Sequence, residues 1–146
     1  MESVGFLSAH EKNYKSLSNG TLVGLSGVSG RVPVKTLGDG MRRLLTIAMG
    51  MASCSGGGLI LDEVDTGLHY SAMESLWRFI LTAAERNDVT VFASTHSLDC
   101  LRGLAVVGED SKDVRLYAFS ASGKKVVSYT GREMASAVNN EIEVRA

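Results

Sequence analysis

The sequence predicts an α/β fold, a parallel sheet with flanking helices that closes on a C-terminal β-hairpin, and three observations carry that reading. Leu59-Ile60-Leu61 and Val89-Thr90-Val91-Phe92-Ala93 are short, largely apolar runs in the style of strands buried on both faces. Between them, Met73, Leu76, Trp77, Ile80 and Ala84 repeat at helical spacing, so strand, helix and strand form a βαβ unit with parallel strands. Farther on, Val114 to Phe119 and Lys125 to Tyr129 alternate around a Ser-Ala-Ser-Gly loop, the pattern of an antiparallel hairpin.

The remaining elements fall around that core. Residues 1–35 have short apolar clusters and no sustained period, and read as the tail of an upstream lobe that supplies a strand or two. Arg31 to Lys35 alternates and holds the chain's only proline, which an edge strand tolerates. From residue 36 to the end the pattern is that of one α/β unit. Met41, Leu44, Leu45, Ala48 and Ala52 line one face of a helix, which the three glycines within Ser53 to Gly58 terminate. Asp39 is placed to cap that helix. Ser71-Ala72-Met73-Glu74 has the form of a capping box ahead of the next helix, whose polar side carries Glu74, Arg78, Glu85 and Arg86 and which stops at Asn87-Asp88. Short helices are expected over Leu98–Leu104 and Glu133–Asn139.

Composition narrows the class of protein. The chain has 146 residues, 45% of them hydrophobic and 21% charged, the balance of one soluble globular domain, and its net charge of −1 advertises no nucleic-acid or membrane surface while leaving room for a local basic patch. Cys54 and Cys100 stand alone, as buried thiols in a reducing compartment do. The start, Met1 to Phe6, has no signal-peptide pattern, and the Asn19-Gly20-Thr21 sequon has no export signal to make it meaningful. Leu44 to Ala52 is far too short to span a bilayer. These features read as a cytoplasmic chain with no membrane partner.

The chemistry gathers at the strand ends. In open α/β sheets ligands bind beyond the carboxyl ends of the strands. The first apolar strand runs into Asp62-Glu63 and the second into Ser94-Thr95-His96. Adjacent strands would bring two carboxylates and an imidazole to one crevice. An apolar strand ending in Asp-Glu is the Walker B pattern, in which the first carboxylate serves a hydrated Mg²⁺ and the second a water attacking the γ-phosphate. The same string also arises where a buried strand runs into a solvated turn, and a histidine after a strand is often only a hydrogen-bonded structural residue. Asp62, Glu63, Asp65, His69 and His96, or His10, could also make a metal centre, but no H-x-x-x-H or H-x-E pair fixes two ligands. Leu37-Gly38-Asp39-Gly40 sits at a helix start, where glycines admit an anion to backbone amides or simply permit the turn. Arg42 and Arg43 oppose the dipole there, which makes sense beside an anion or a carboxylate.

Taken together, in this order, these segments resemble the ABC-class ATPases, in the AAA-family branch similar to the overcoming-lysogenization-defect and RecF-like proteins. Leu37 to Arg43 resembles the signature motif, Leu59 to Glu63 Walker B, Val64 to His69 the D-loop, and Ser94 to Ser97 the switch-histidine segment. Glu143-Val144-Arg145 is similar to the end of such chains. The resemblance implies an ABC-type P-loop NTPase fold present in part, residues 36–146 being the C-terminal half of the cassette. It implies ATP and Mg²⁺ as cofactors. Asp62 would organise the metal, Glu63 would be the general base, and His96 would sense the γ-phosphate. Asp65 would lie at a dimer interface, and Gly38, Asp39 and Gly40 would face ATP on a second ATPase subunit. The chain departs from the family in one respect, having no G-x-x-x-x-G-K-[ST]. Gly24 to Gly30 and Ser122 to Lys125 do not supply it. The resemblance therefore places the P-loop upstream or on a partner chain, with this chain inactive alone. Two functions stay open, an ATPase half-cassette and a non-catalytic interaction module from a degenerate ATPase. A nucleic acid or an effector protein stays open as a partner, and the sequence does not reveal what ATP hydrolysis would drive.

Overall fold

The computed structural model describes residues 22–24, 29–120 and 125–139. The sequon, His10, most of the hairpin loop and the closing Glu143-Val144-Arg145 lie outside the described residues. The structure is mixed α/β, with small sheets and, among the described residues, four α-helices. Strands β1 (Leu22–Gly24) and β2 (Arg31–Pro33) pair antiparallel, so the edge strand expected around Pro33 forms but is shorter. Helix α1 spans Asp39–Ser53, and β3 (Gly58–Leu61) follows. Helix α2 (Met73–Asn87) crosses to β4 (Thr90–Ala93), which lies parallel to β3 with Gly58 opposite Thr90 and Leu61 opposite Ala93. Helix α3 covers Leu98–Gly108, about a turn longer than the sequence suggested. The antiparallel hairpin of β5 (Arg115–Phe119) and β6 (Val126–Thr130) leads into α4 (Gly131–Asn139).

The core lies between the helices and one face of the β3–β4 pair. Leu76, Trp77 and Ile80 of α2, Leu101 and Leu104 of α3, and Met134 of α4 are buried in one cluster with Leu61 and Val64. The expected face of α2 is the buried one, with Ala84 at its margin and the four charged residues outside. Asp88 ends that helix in a left-handed conformation, a position aspartate tolerates better than most residues.

Four expectations need correction. The strands are not buried on both faces: Ile60 is 80% and Phe92 62% exposed, and these two face each other across the register. Strand side chains alternate, and the helices cover only the side of Leu59, Leu61 and Val91. In α1 the fully buried residues are Ile47 and Met51, with Leu44 beside them, while Ala52 is exposed. Several apolar lines run along that helix, and the one meeting β3 passes Gly50, which sits close against Leu59. Asp39 does not cap α1; Gly38 holds the N-cap position and Asp39 is the first helical residue, paired with Arg42. The Ser71–Glu74 capping box is absent because a 3₁₀ turn over Tyr70–Ala72 precedes α2. There His69 Nδ1 accepts the Ser71 amide, and Glu74 pairs with Arg78 instead.

A capping box forms elsewhere, at Thr130-Gly131-Arg132-Glu133. Glu133 Oε2 accepts the Thr130 amide at 2.8 Å and the Thr130 hydroxyl at 2.8 Å, and the Glu133 amide donates to Thr130 Oγ1 at 3.3 Å. The Thr130 amide first, and its hydroxyl second, hold the Glu133 carboxyl below its ordinary value. No described helix is long and apolar enough to cross a membrane. Both cysteines are free, Cys100 buried and Cys54 half-buried, and burial pushes the Cys100 thiol above its ordinary value.

Two stability predictions follow from this packing. A Cβ on Gly103 would stand 2.8 Å from Met73 Cβ and 2.9 Å from its backbone carbon, where α3 crosses the start of α2. Gly103→Ala is expected to cost about 1–3 kcal/mol in denaturant unfolding, because backbone cannot yield as a flexible side-chain tip would. The second concerns pH. A carboxyl lowered in the folded state stabilises above its unfolded value, and that contribution fades as pH falls through the folded value. Thr130→Ala should therefore lower the melting temperature at about pH 7, and the gap to the parent should narrow as pH falls through the folded value of Glu133, without closing, because the lost hydroxyl also accepts the Glu133 amide at every pH.

Candidate functional site

The parallel register sets β3 and β4 side by side with their carboxyl ends together. The ladder continues one step past the strands: the Ser94 amide donates to the Leu61 carbonyl at 2.9 Å, and the Val64 amide to the Ser94 carbonyl at 2.9 Å. Ser94 thus lies against the turn that carries both carboxylates. Its hydroxyl donates to Asp62 Oδ1 and accepts the Glu63 amide at 2.8 Å. One side chain fixes the rotamer of the first carboxylate and the backbone of the second.

Glu63 has a left-handed backbone, φ 44°, which L-residues other than Asn and Asp seldom adopt. Past it the chain folds in tight turns, Thr66 amide to Glu63 carbonyl at 3.0 Å and Leu68 amide to Asp65 carbonyl at 3.1 Å. The Thr66 hydroxyl donates to Glu63 Oε2 at 3.1 Å. Thr95 Oγ1 donates to Asp65 Oδ1 at 2.6 Å and accepts the Ser97 amide at 3.0 Å. Ser97 caps α3 by accepting the Cys100 amide at 3.2 Å, and Trp77 Nε1 donates to the Cys100 carbonyl at 2.9 Å. The polar turn is anchored through this chain to the buried core.

A hydroxyl therefore takes one oxygen of each of Asp62, Glu63 and Asp65, and none of the three has an ion-pair partner among the described residues. Hydroxyls orient a carboxylate without neutralising it. Asp62 and Glu63 are exposed and Asp65 half-buried, so the turn presents oriented negative charge to solvent. Among the described residues no three His, Cys, Asp or Glu side chains form a closed metal site. A single oriented carboxylate with a hydroxyl beside it is the protein share that Mg²⁺ uses when phosphates and water supply the rest. The donor set fits that ion in that role.

The segment at the start of α1 packs on the same turn. A Cβ on Gly40 would stand 2.9 Å from Leu68 Cδ2 and 3.3 Å from the Gly67 carbonyl, and one on Gly67 would stand 3.3 Å from Asp39 Cβ. Gly38 differs, being exposed with open space around it. Among the predicted residues, Asp62, Glu63 and Asp65 are joined to Ser94 and Thr95, and Gly38-Asp39-Gly40 is joined to the turn at 67–68. His96 follows Thr95 and is exposed, and its ring has no hydrogen-bond partner among the described residues. His69 lies apart, bonded to Ser71 at 3.0 Å, with its ring centroid 4.2 Å from that of Tyr70 at a 40° tilt.

Four residues, Ser94, Thr95, Thr66 and Arg43, take their roles from contacts that the sequence alone does not show. Ser94 and Thr95 were visible as hydroxyls at a strand end, but which carboxylate each meets depends on register. Arg43 was noticed only for opposing the helix dipole. Its Nη2 donates to the carbonyls of Asp62 and, at 2.9 Å, Glu63, so its partners are backbone oxygens and not a carboxylate.

Comparison with known proteins bears on this arrangement. Residues 12–101 match the family described as "AAA domain, putative AbiEii toxin, Type IV TA system". An ATP/GTP phosphatase of Helicobacter pylori is 23% identical over 92% of this chain and 40% of its own length. An uncharacterised protein of Methanocaldococcus jannaschii is 26% identical over 63% of this chain and 82% of its own. The chain thus spans about two fifths of the Helicobacter pylori relative. The family match covers the start of α1, the β3–β4 unit, the carboxylate turn and the beginning of α3. The chain belongs to this AAA-domain family.

Proposed function

We propose that the chain is the C-terminal half of an ABC-type P-loop ATPase, hydrolysing ATP as a head-to-tail dimer once a P-loop segment is supplied in cis or by another chain. Residues 36–146 form the half-cassette in this reading, and residues 1–35 end the preceding lobe. The observation that carries it is the Ser94 bridge, which ties the Asp62–Glu63 turn to the end of the neighbouring parallel strand. Family membership and the ATP/GTP phosphatase relative support the same chemistry.

In this reading each residue has a task that its surroundings support. Asp62, oriented by Ser94 and without an ion-pair partner among the described residues, would hold Mg²⁺, which would supply charge compensation on the phosphates. Glu63 takes a proton from the attacking water, its carboxylate steered by Thr66. His96, exposed on the chain beside it, donates to the γ-phosphate. Asp65, held by Thr95, meets the partner subunit. Gly38 offers unobstructed backbone at the start of α1 to ATP bound on the partner, with Asp39 and Gly40 shaping that start. The work done by hydrolysis falls on a nucleic acid or an effector protein.

The test separates the base from the trans-acting segment. Without the P-loop, the purified chain is expected to show no ATPase activity above background. With it, Glu63→Gln should cut turnover roughly a hundredfold or more with ATP binding intact, and ATP should then accumulate a stable dimer. Gly38→Arg should bind ATP but fail to dimerise. Gly38 is the informative position because a side chain at Gly40 would strike the chain's own Leu68. Light scattering with phosphate release reads both. A Glu63→Gln protein that stays monomeric, or a Gly38→Arg protein that pairs normally, would sink the model.

A further inference from the structure

Arg43 is an arginine in an unusual place. It opens the second turn of α1, still near the end of the helix where the dipole disfavours a cation, and it has no carboxylate partner among the described residues. Its neighbour Arg42 resolves the same conflict by pairing with Asp39. Arg43 instead turns inward, half-buried, and Nη2 donates to two consecutive carbonyls, those of Asp62 and Glu63. Its Nε is buried with no hydrogen-bond partner among the described residues. An unsatisfied buried N–H is a cost that a long, flexible side chain avoids by swinging into solvent. This geometry persists only if the carbonyl contacts outweigh that cost.

The carbonyls it holds flank the most strained residue of the site. Glu63 is the one non-glycine residue besides Asp88 with positive φ among the described residues. Asp88 has an ordinary reason, at the end of a helix. Glu63 has none from its sequence, and glutamate has no short side chain to stabilise a left-handed backbone locally. Its conformation is fixed by the Ser94 hydroxyl on the amide side and, on the carbonyl side, by the Thr66 amide and Arg43. Both directions are needed, because a peptide unit held at one end still rotates about its other dihedral.

We propose that Arg43 is a positioning residue for Glu63: it clamps the peptide carbonyls of the carboxylate turn and so holds the Glu63 carboxylate in its working direction. The inference rests on the ATPase reading for its catalytic consequence, but the clamp itself is independent of nucleotide. Because Arg43 belongs to the helix that begins at Gly38, it also makes the carboxylate turn responsive to that helix start. Lysine is a poor substitute, a point donor where the guanidinium presents a planar fork.

Two measurements decide it. The first uses the purified chain and needs no activity: amide hydrogen exchange in the parent, Arg43→Lys and Arg43→Gln proteins. Arg43→Gln should speed exchange at Glu63 and Val64 on the order of tenfold, leaving amides within α2 and α3 unchanged, with Arg43→Lys between. Unchanged protection at Glu63 and Val64 overturns the proposal, as does uniform loosening of the whole chain. If Arg43→Gln does not fold, Arg43→Lys carries the comparison. The second uses the ATPase reconstituted with its P-loop segment. Arg43→Gln should lower kcat about tenfold or more with KM for ATP unchanged, and should cause no further loss in a Glu63→Gln background. Losses that multiply would show that Arg43 acts other than through Glu63. If the parent shows no Mg²⁺-dependent turnover, the ATPase reading fails, and the exchange experiment still decides the clamp.

Discussion

The parallel pairing of β3 with β4 is the constraint on which the rest of the molecule depends. Two strands of four residues make a weak sheet in isolation. Here they are joined through α2, whose buried face holds both against the core, and the ladder extends past Leu61 and Ala93 through the backbone of Ser94. That extension converts a pairing into a site. A shift of the register by one residue would move Ser94 off the carboxylate turn, and it would reverse which of Leu59 and Ile60 faces the helices. Core and site therefore select the same register.

The sequence disclosed what depends on local pattern and hid what depends on contact. The βαβ unit, the buried face of α2, the hairpin and the strand-end residues Asp62, Glu63, Ser94, Thr95 and His96 were legible because period and order encode them. The buried line of α1 was not. Met41, Leu44, Leu45, Ile47, Ala48 and Met51 furnish more than one apolar stripe, and only contact with β3 chooses among them. Capping was misplaced for a related reason. Ser-x-x-Glu and Thr-x-x-Glu are the same signal at 71–74 and 130–133, and a 3₁₀ turn preceding the first removes its hydroxyl to another partner. Arg43 stayed obscure because its partners are backbone carbonyls, which carry no sequence signature at all.

The assumption that failed most plainly was burial of both strand faces. An all-apolar strand records what covers it in the working protein, and Ile60 and Phe92 are that record on a face with no cover among the described residues. Adjacent apolar side chains of this size, aligned across a parallel register, form a patch that soluble proteins ordinarily bury. A P-loop segment supplied from elsewhere would have such a face to pack against.

The organisation of charge points the same way. The four ion pairs among the described residues are exposed, where pairs of this kind contribute little to stability, and none includes a carboxylate of the turn. The three carboxylates of the turn are oriented by Ser94, Thr66 and Thr95, neutral donors that leave the charge in place. The nearest arginine spends its hydrogen bonds on carbonyls. A turn built for stability would use that cation to neutralise the acids. This one uses it to fix the backbone and leaves the acids without an ion-pair partner among the described residues, as the proposed Mg²⁺ role of Asp62 requires.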